Sequence, residues 1–290
     1  MSKMYIHSAS AFTQQANVDI HFLKEEIRRY TQENFRRVNR FILLSLFGAL
    51  QCVHQQTLET DTAIYLTTED GNLEVTADVL DEIYKSRSLP RPISFINTVS
   101  NTAAFYLARN LAISGRNITV SSKHLSFERG LELLKVDFSL GAERSALIGG
   151  VDESSLSWMN REKKAGRSWR MVDGSAWFYV KQEKEGSCGE FTEIMSFRDG
   201  PSCMRWIRER ERSPADVVSF GALIGDDEAT ALRETLRPAA EFYYLQEYGY
   251  SGSATACGVS LFLRLFQAKT LLHINRDHHG IYAVIELDRY

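Results

Sequence analysis

Two periods of apolar residues alternate along the chain, and the stretch 115–153 contains both. A β-prone run at 118–120 leads into a segment whose apolar residues Leu125, Leu131, Leu134 and Phe138 share one helical face. A second apolar run follows at 146–148. The pattern predicts a strand–helix–strand unit with a right-handed crossover. At the first strand-to-helix junction of such a unit, backbone N–H groups and the positive end of the helix dipole converge. That place favours a nucleophile or an anion. The junction here reads Lys123-His124-Leu125, with neither a cysteine nor a serine.

The rest of the chain alternates in the same way. Upstream, the periods predict a short strand at 4–9 and helices at 19–30 and 37–54. The second of these is nearly all apolar after Arg40, as a buried helix would be. A strand at 63–66 and a helix at 77–85 follow, and Pro90 and Pro92 end that helix. An apolar run at 93–99 enters a helix at 101–113. Downstream of a charged stretch at 152–173, strands at 175–182 and 190–196 read as a β-hairpin. Then come a helix at 201–212, a strand at 217–223, a helix at 226–237 and a β-prone run at 241–250. A small-residue helix reaches about 268, and a terminal hairpin pairs 270–274 with 281–287 around the loop NRDHHG. This order predicts an α/β protein with mostly parallel central sheets. Element order alone allows a single domain over 1–290 with duplicated halves, roughly 1–153 and 175–290.

Composition narrows the class without naming an activity. With 44% hydrophobic and 24% charged residues, the chain matches an ordinary globular protein. A net charge of −3 argues against a nucleic-acid binder. No apolar run is long enough to span a membrane. Cys52, Cys188, Cys203 and Cys257 lack CxxC spacing and read as free thiols of a cytoplasmic protein. Cys257, in the small-residue helix, reads as packing. His278-His279 could hold a metal, but no carboxylate or thiolate stands at ligand spacing, so no metal and no cofactor is expected. Arg161, Lys163, Lys164, Arg167 and Arg170 form a basic stretch that could steer an acidic partner or simply face solvent.

PISFINTVSNTAAFYLARNLAISGRNITVSS, followed by the helix and ALIGGVDE, resembles the β-ketoacyl synthase family of the thiolase superfamily. DGSAWFYVKQE, VVSFGALIGDDEATAL, YGYSGSATA and NRDHHGIYAVIEL resemble later parts of that family in the right order. The resemblance covers nearly the whole chain. It implies a thiolase-like fold, with duplicated βα halves in a layered α-β-α-β-α arrangement. It also implies that the catalytic positions are degenerate. The family's nucleophilic cysteine falls on His124, its first histidine on Phe220 or Gly221, and its second on Tyr250. The glycine-rich loop over the acyl site is replaced by the charged 275–280. The chain is also shorter than typical members, which implies a reduced acyl entrance.

Condensation needs a thiolate to hold the acyl group as a thioester, and an imidazole at His124 cannot store it. A ketosynthase-like chain without Cys-His-His resembles the family's chain-length factors, most narrowly those of bacterial aryl polyene clusters. Such a factor is catalytically inactive, pairs with an active β-ketoacyl synthase and shapes its acyl tunnel. Acyl carrier protein is then a transient partner, and neither nucleic acid nor membrane is. The resemblance implies that the strand at 118–122 joins the partner edge to edge. Leu73, Val75, Ile93, Ser94, Phe95, Ile96, Thr98, Ile118 and Val120 are the tunnel or interface candidates, with ordinary core as the alternative for each. A thiolase-fold acyltransferase, a malonyl-ACP decarboxylase and a carrier-protein-binding scaffold are the competing functions.

Overall fold

The computed structural model describes residues 3–154, 169–210 and 214–290. The first half of the fold runs β1 (Met4–Gln15), α1 (Ile20–Ile27), α2 (Arg40–Val53), β2 (Ala63–Thr67), α3 (Leu73–Tyr84), α4 (Pro92–Ile96), α5 (Asn101–Leu111), β3 (Asn117–Val120), α6 (Ser126–Ser139), β4 (Ser145–Asp152) and β5 (Val172–Lys181). The second half runs β6 (Gly189–Phe197), α7 (Gly200–Glu209), β7 (Val217–Phe220), α8 (Asp226–Leu236), β8 (Ala240–Glu241), α9 (Tyr244–Tyr248), α10 (Ala254–Leu265), β9 (Thr270–Arg276) and β10 (Tyr282–Arg289).

Among the described residues the strands form one sheet in the order β3-β2-β4-β5-β1-β6-β10-β9-β7-β8. Read outward from the central β1–β6 pair, each half has the same order: first strand, fifth, fourth, second, third. By that order β5 completes the first set, although the sequence reading placed 175–182 with the second half. We propose that the repeat boundary lies between 181 and 189.

The sheet is less parallel than the alternation suggests. Among the described residues, parallel pairing between strands joins β2 with β3 and β4, and β7 with β8 and β9, beside one isolated parallel bridge between Met171 and Tyr250. Everything around β1, β5, β6 and β10 is antiparallel. The expected hairpin of 175–182 with 190–196 does not form, because β1 lies between β5 and β6 and pairs with both. Periodicity identified those two strands but carries no information on which neighbours they take. β1 is also longer than the run at 4–9. Half of the β-prone 241–250 segment is helical, because Tyr244 and Leu245 turn inward together and Gly249, at φ +90°, ends the turn.

Strand alternation explains the layers. Ala63 and Tyr65 of β2, Ala146 and Ile148 of β4, and Ala176 and Phe178 of β5 face a central core with α6 and α10. Ile64, Leu66, Leu147, Trp177 and Tyr179 face the other way, onto α1, α2 and α5. In the second half Leu271, Ile285 and Leu287 join the central core, while Leu272, Ile274 and Val284 face α7 and α8. The result is the layered α-β-α-β-α arrangement. Every residue of β4 is buried, as two covered faces require. In the β4 glycine pair, a Cβ on Gly149 would stand 2.1 Å from the Trp177 ring, and one on Gly150 would stand 2.8 Å from Ala256 Cβ. The motif therefore makes room for the Trp177 ring on one face of the strand and for α10 on the other.

Candidate functional site

The carboxyl ends of β2, β3, β4, β7 and β9 converge, the usual place for a site in an α/β sheet. β3 leaves its last residue through Ser121 and Ser122 into a tight turn at Lys123–Leu125, which opens α6. Lys123 sits in the left-handed region at φ +50°, and its Nζ meets Asp70 Oδ1 at 2.5 Å. Ser126 locks the turn, accepting from Ser122 N at 2.9 Å and donating to Lys123 O at 2.6 Å. Leu125 is drawn into the core.

The His124 side chain is thereby pointed inward and is only 6% exposed. Its Nδ1 lies 3.0 Å from Tyr250 Oη and its Nε2 lies 3.0 Å from His278 Nε2. Tyr250 Oη donates to Glu69 Oε2 at 3.1 Å. One donor pattern satisfies the chain: His278 Nε2–H to His124 Nε2, His124 Nδ1–H to Tyr250, and Tyr250 to the Glu69 carboxylate. Glu69 is held in place by Asp152, the first acid of the ALIGGVDE run. The Asp152 carboxylate accepts from Thr68 Oγ1 at 2.7 Å and from Glu69 N at 2.9 Å.

Asn275, at the end of β9, ties the turn to the second half. Its Nδ2 contacts His124 O and Glu128 Oε1, each at 2.8 Å, and Thr255 Oγ1 at 3.1 Å. Its Oδ1 lies where a Cβ on Gly221 would be 1.8 Å away, so only glycine fits there. Burial raises the Glu128 carboxyl to about 7, against the hydrogen bond from Asn275. Burial also lowers the neighbouring His273 imidazole to about 3, which keeps it neutral.

His124, Gly221 and Tyr250, which the sequence singled out, thus come together. The space they surround is small. The cavity bounded by His124, Tyr244, Tyr250, Thr255 and Asn275 measures about 10 Å³, which holds at most about one water molecule. Cys257, on the helix that carries Thr255, supplies no thiolate there, because burial pushes its thiol up to about 12. Sequence reading missed Glu69, and it took His278 as a loop residue without a partner. The Nε2–Nε2 contact places a second imidazole, that of His278, beside His124. Among the described residues, no group of three or more His, Cys, Asp or Glu side chains is placed to hold a metal ion. Of the basic stretch, Arg161, Lys163, Lys164 and Arg167 lie outside the described residues.

The interface candidates lie apart from this cluster, on α3, on α4 and the turn that follows it, and on the edge strand β3. Leu73, Val75, Ile93, Ser94 and Thr98 are half-buried or exposed, and none is core. Phe95 and Ile96 are 61% and 53% exposed, so they are surface and not core. Leu80, Ile83, Tyr84, Leu89 and Val99 add to the exposed apolar side chains of these segments, with Leu89 at 93%. Ile118 and Val120 are half-buried on β3, and Ile118 packs against the central core. Among the described residues, the outer edge of β3 takes no strand.

No protein-family model and no curated protein matches the sequence. Solved structures match throughout. The ishigamide ketosynthase/chain length factor superposes with a TM-score of 0.79 at 16% identity, covering 99% of both chains. The PfaC keto synthase–chain length factor gives a TM-score of 0.76 at 14% identity, covering 99% of this chain and 43% of that one. The complex of the ketosynthase ApeO with its chain length factor ApeC, from Xenorhabdus doucetiae, gives 0.72 at 12% identity, covering 100% of this chain and 98% of the matched one. This chain therefore has the fold of ketosynthases and chain length factors. No described helix is long and apolar enough to cross a membrane.

Proposed function

We propose that this chain is a non-catalytic chain-length factor that pairs with an active β-ketoacyl-ACP synthase and shapes its acyl tunnel. The observation that carries the reading is the closed elbow. The position where the resemblance puts a nucleophile holds His124, hydrogen-bonded on both ring nitrogens, over a cavity of about 10 Å³. An acyl group has neither a thiol to bind nor a space to occupy. The same reading makes acyltransferase and decarboxylase activity the weaker alternatives.

Pairing is supported by a surface apart from the elbow. The unpaired edge of β3 can extend the sheet into a partner, and α3 and α4 expose apolar residues of their own. Apolar patches of this sort mark interaction sites. Leu73, Val75, Ile93, Ser94 and Thr98 then face the partner's tunnel, where a side chain in the path of the acyl tip limits its length. Acyl carrier protein visits the complex transiently. The free cysteines fit a reducing, cytoplasmic compartment. The narrower assignment to an aryl polyene system belongs to the same proposal.

Co-expression with a synthase that retains Cys-His-His, followed by size exclusion, tests the pairing. A one-to-one complex is expected, with self-association or insolubility of this chain on its own. A stable monomer with no affinity for any ketosynthase would overturn it.

A further inference from the structure

One sizeable cavity among the described residues belongs to neither the elbow nor the α3–α4 surface. It is a groove of about 680 Å³ in the outer layer of the second half, between α7 and α8. That volume lies within the range of small-molecule sites. Its apolar lining comes from Met204, Leu232 and the Cys203 side chain, which burial keeps as a neutral thiol. Tyr282 closes the bottom.

The charges around the groove are asymmetric. Glu228, at the bottom, is already engaged, since the Tyr282 hydroxyl donates to it and Arg276 Nη1 stands 3.1 Å from its Oε2. It is therefore not available to a cationic ligand. Arg205 and Arg208, one turn apart on α7, also line the groove, and among the described residues neither has an ion-pair partner. Glu209 lies on the rim and is exposed. A guanidinium pair above an apolar floor complements a ligand with an anionic head and an apolar body.

We infer that this groove binds a small amphiphile with a single anionic head group, a carboxylate or a phosphate ester, whose tail lies on Met204 and Leu232. The inference does not depend on the chain-length reading, because α7 and α8 lie on the far side of the second half-sheet from the elbow helix.

Calorimetric titration with decanoate and with decyl phosphate tests it, on the chain alone or in the complex in which it is isolated. At least one should bind saturably with one-to-one stoichiometry, and the tighter of the two identifies the head group. Arg205→Ala with Arg208→Ala should weaken binding at least about tenfold. Ala231→Trp, at an exposed position on the α8 wall, should fill the groove and abolish binding without unfolding the protein. Decyltrimethylammonium should neither bind nor compete. Failure of both anions to bind, equal binding of the ammonium, or full binding by the Ala231→Trp variant would overturn the assignment.

Discussion

His124 and His278 meet through their Nε2 atoms at 3.0 Å, across 154 positions of sequence. One imidazole comes from the elbow that opens α6, and the other from the loop between β9 and β10. A shared hydrogen bond between two imidazoles requires one to donate and the other to accept. In a neutral His124 that donates from Nδ1 to Tyr250, Nε2 accepts from His278, which covers the elbow from outside. The contact closes a chain of hydrogen bonds that ends on Glu69.

If the elbow is closed by shape as well as by chemistry, restoring a thiol will not restore acylation. His124→Cys supplies the missing sulfur but leaves Tyr250, Tyr244 and Asn275 around the cavity. We expect no acyl adduct by intact mass after incubation with acyl-CoA or acyl carrier protein. An adduct on the introduced thiol would show that the loop opens, and would revive the transferase and decarboxylase readings.

Gly221 and Asn275 occupy overlapping space, since an added Cβ would stand 1.8 Å from Asn275 Oδ1. Gly221→Ala must push the carboxamide aside and break its bonds to His124 O, Glu128 and Thr255. A lost buried hydrogen bond costs about 1 kcal/mol and overpacking about 1–3 kcal/mol. A loss of about 2–4 kcal/mol in urea unfolding is expected; a change below about 0.5 kcal/mol would contradict the packing.

Glu128 makes stability depend on pH. Its carboxyl is raised from 4.5 to about 7 in the folded chain, chiefly by burial. The folded state holds this proton more tightly than the unfolded one. The stabilisation is complete below pH 4.5 and is lost as pH rises through about 7. Glu128→Gln keeps an acceptor for Asn275 and removes the charge. The variant should match the parent near pH 5 and exceed it at pH 8 by up to roughly 3 kcal/mol. Some pH dependence should persist, because burial also raises Glu153 to about 7. Parallel unfolding curves at both pH values, with no gain at pH 8, would refute the assignment.

Sequence patterns disclosed the elements of this fold better than their neighbours. The 3.6-residue rows located α2, α5 and α6, because those helices each bury a face or, for α2, almost every side. The pairing of β1 between β5 and β6 was invisible, since alternation along a strand does not identify the strands beside it. His124, Gly221 and Tyr250 were singled out by the resemblance alone, and the fold brings them close together. Glu69 and His278 were not legible, since each enters the site from a loop with no period of its own. Their only trace in the sequence is a turn, TTEDG or NRDHHG, next to a strand end.

Phe95 and Ile96 supply the most direct test of pairing. Both are more than half exposed on α4, so neither contributes much to the stability of the isolated fold. In a complex they would lie at the centre of the apolar patch, where truncating a few residues costs most of the binding energy. Phe95→Asp with Ile96→Asp should leave the melting temperature within about 2 °C, because surface changes usually stay within about 0.5 kcal/mol. Placing two carboxylates in a dry interface should weaken association with the synthase by at least about 4 kcal/mol, near a thousandfold. Titration by light scattering or calorimetry gives both numbers. Undiminished binding would remove α4 from the interface and leave the β3 edge as the remaining contact. A separate substitution, Ser94→Phe, then distinguishes pairing from tunnel shaping: it should preserve the complex and shorten the product. An unchanged product profile in an intact complex would confine this chain to pairing alone.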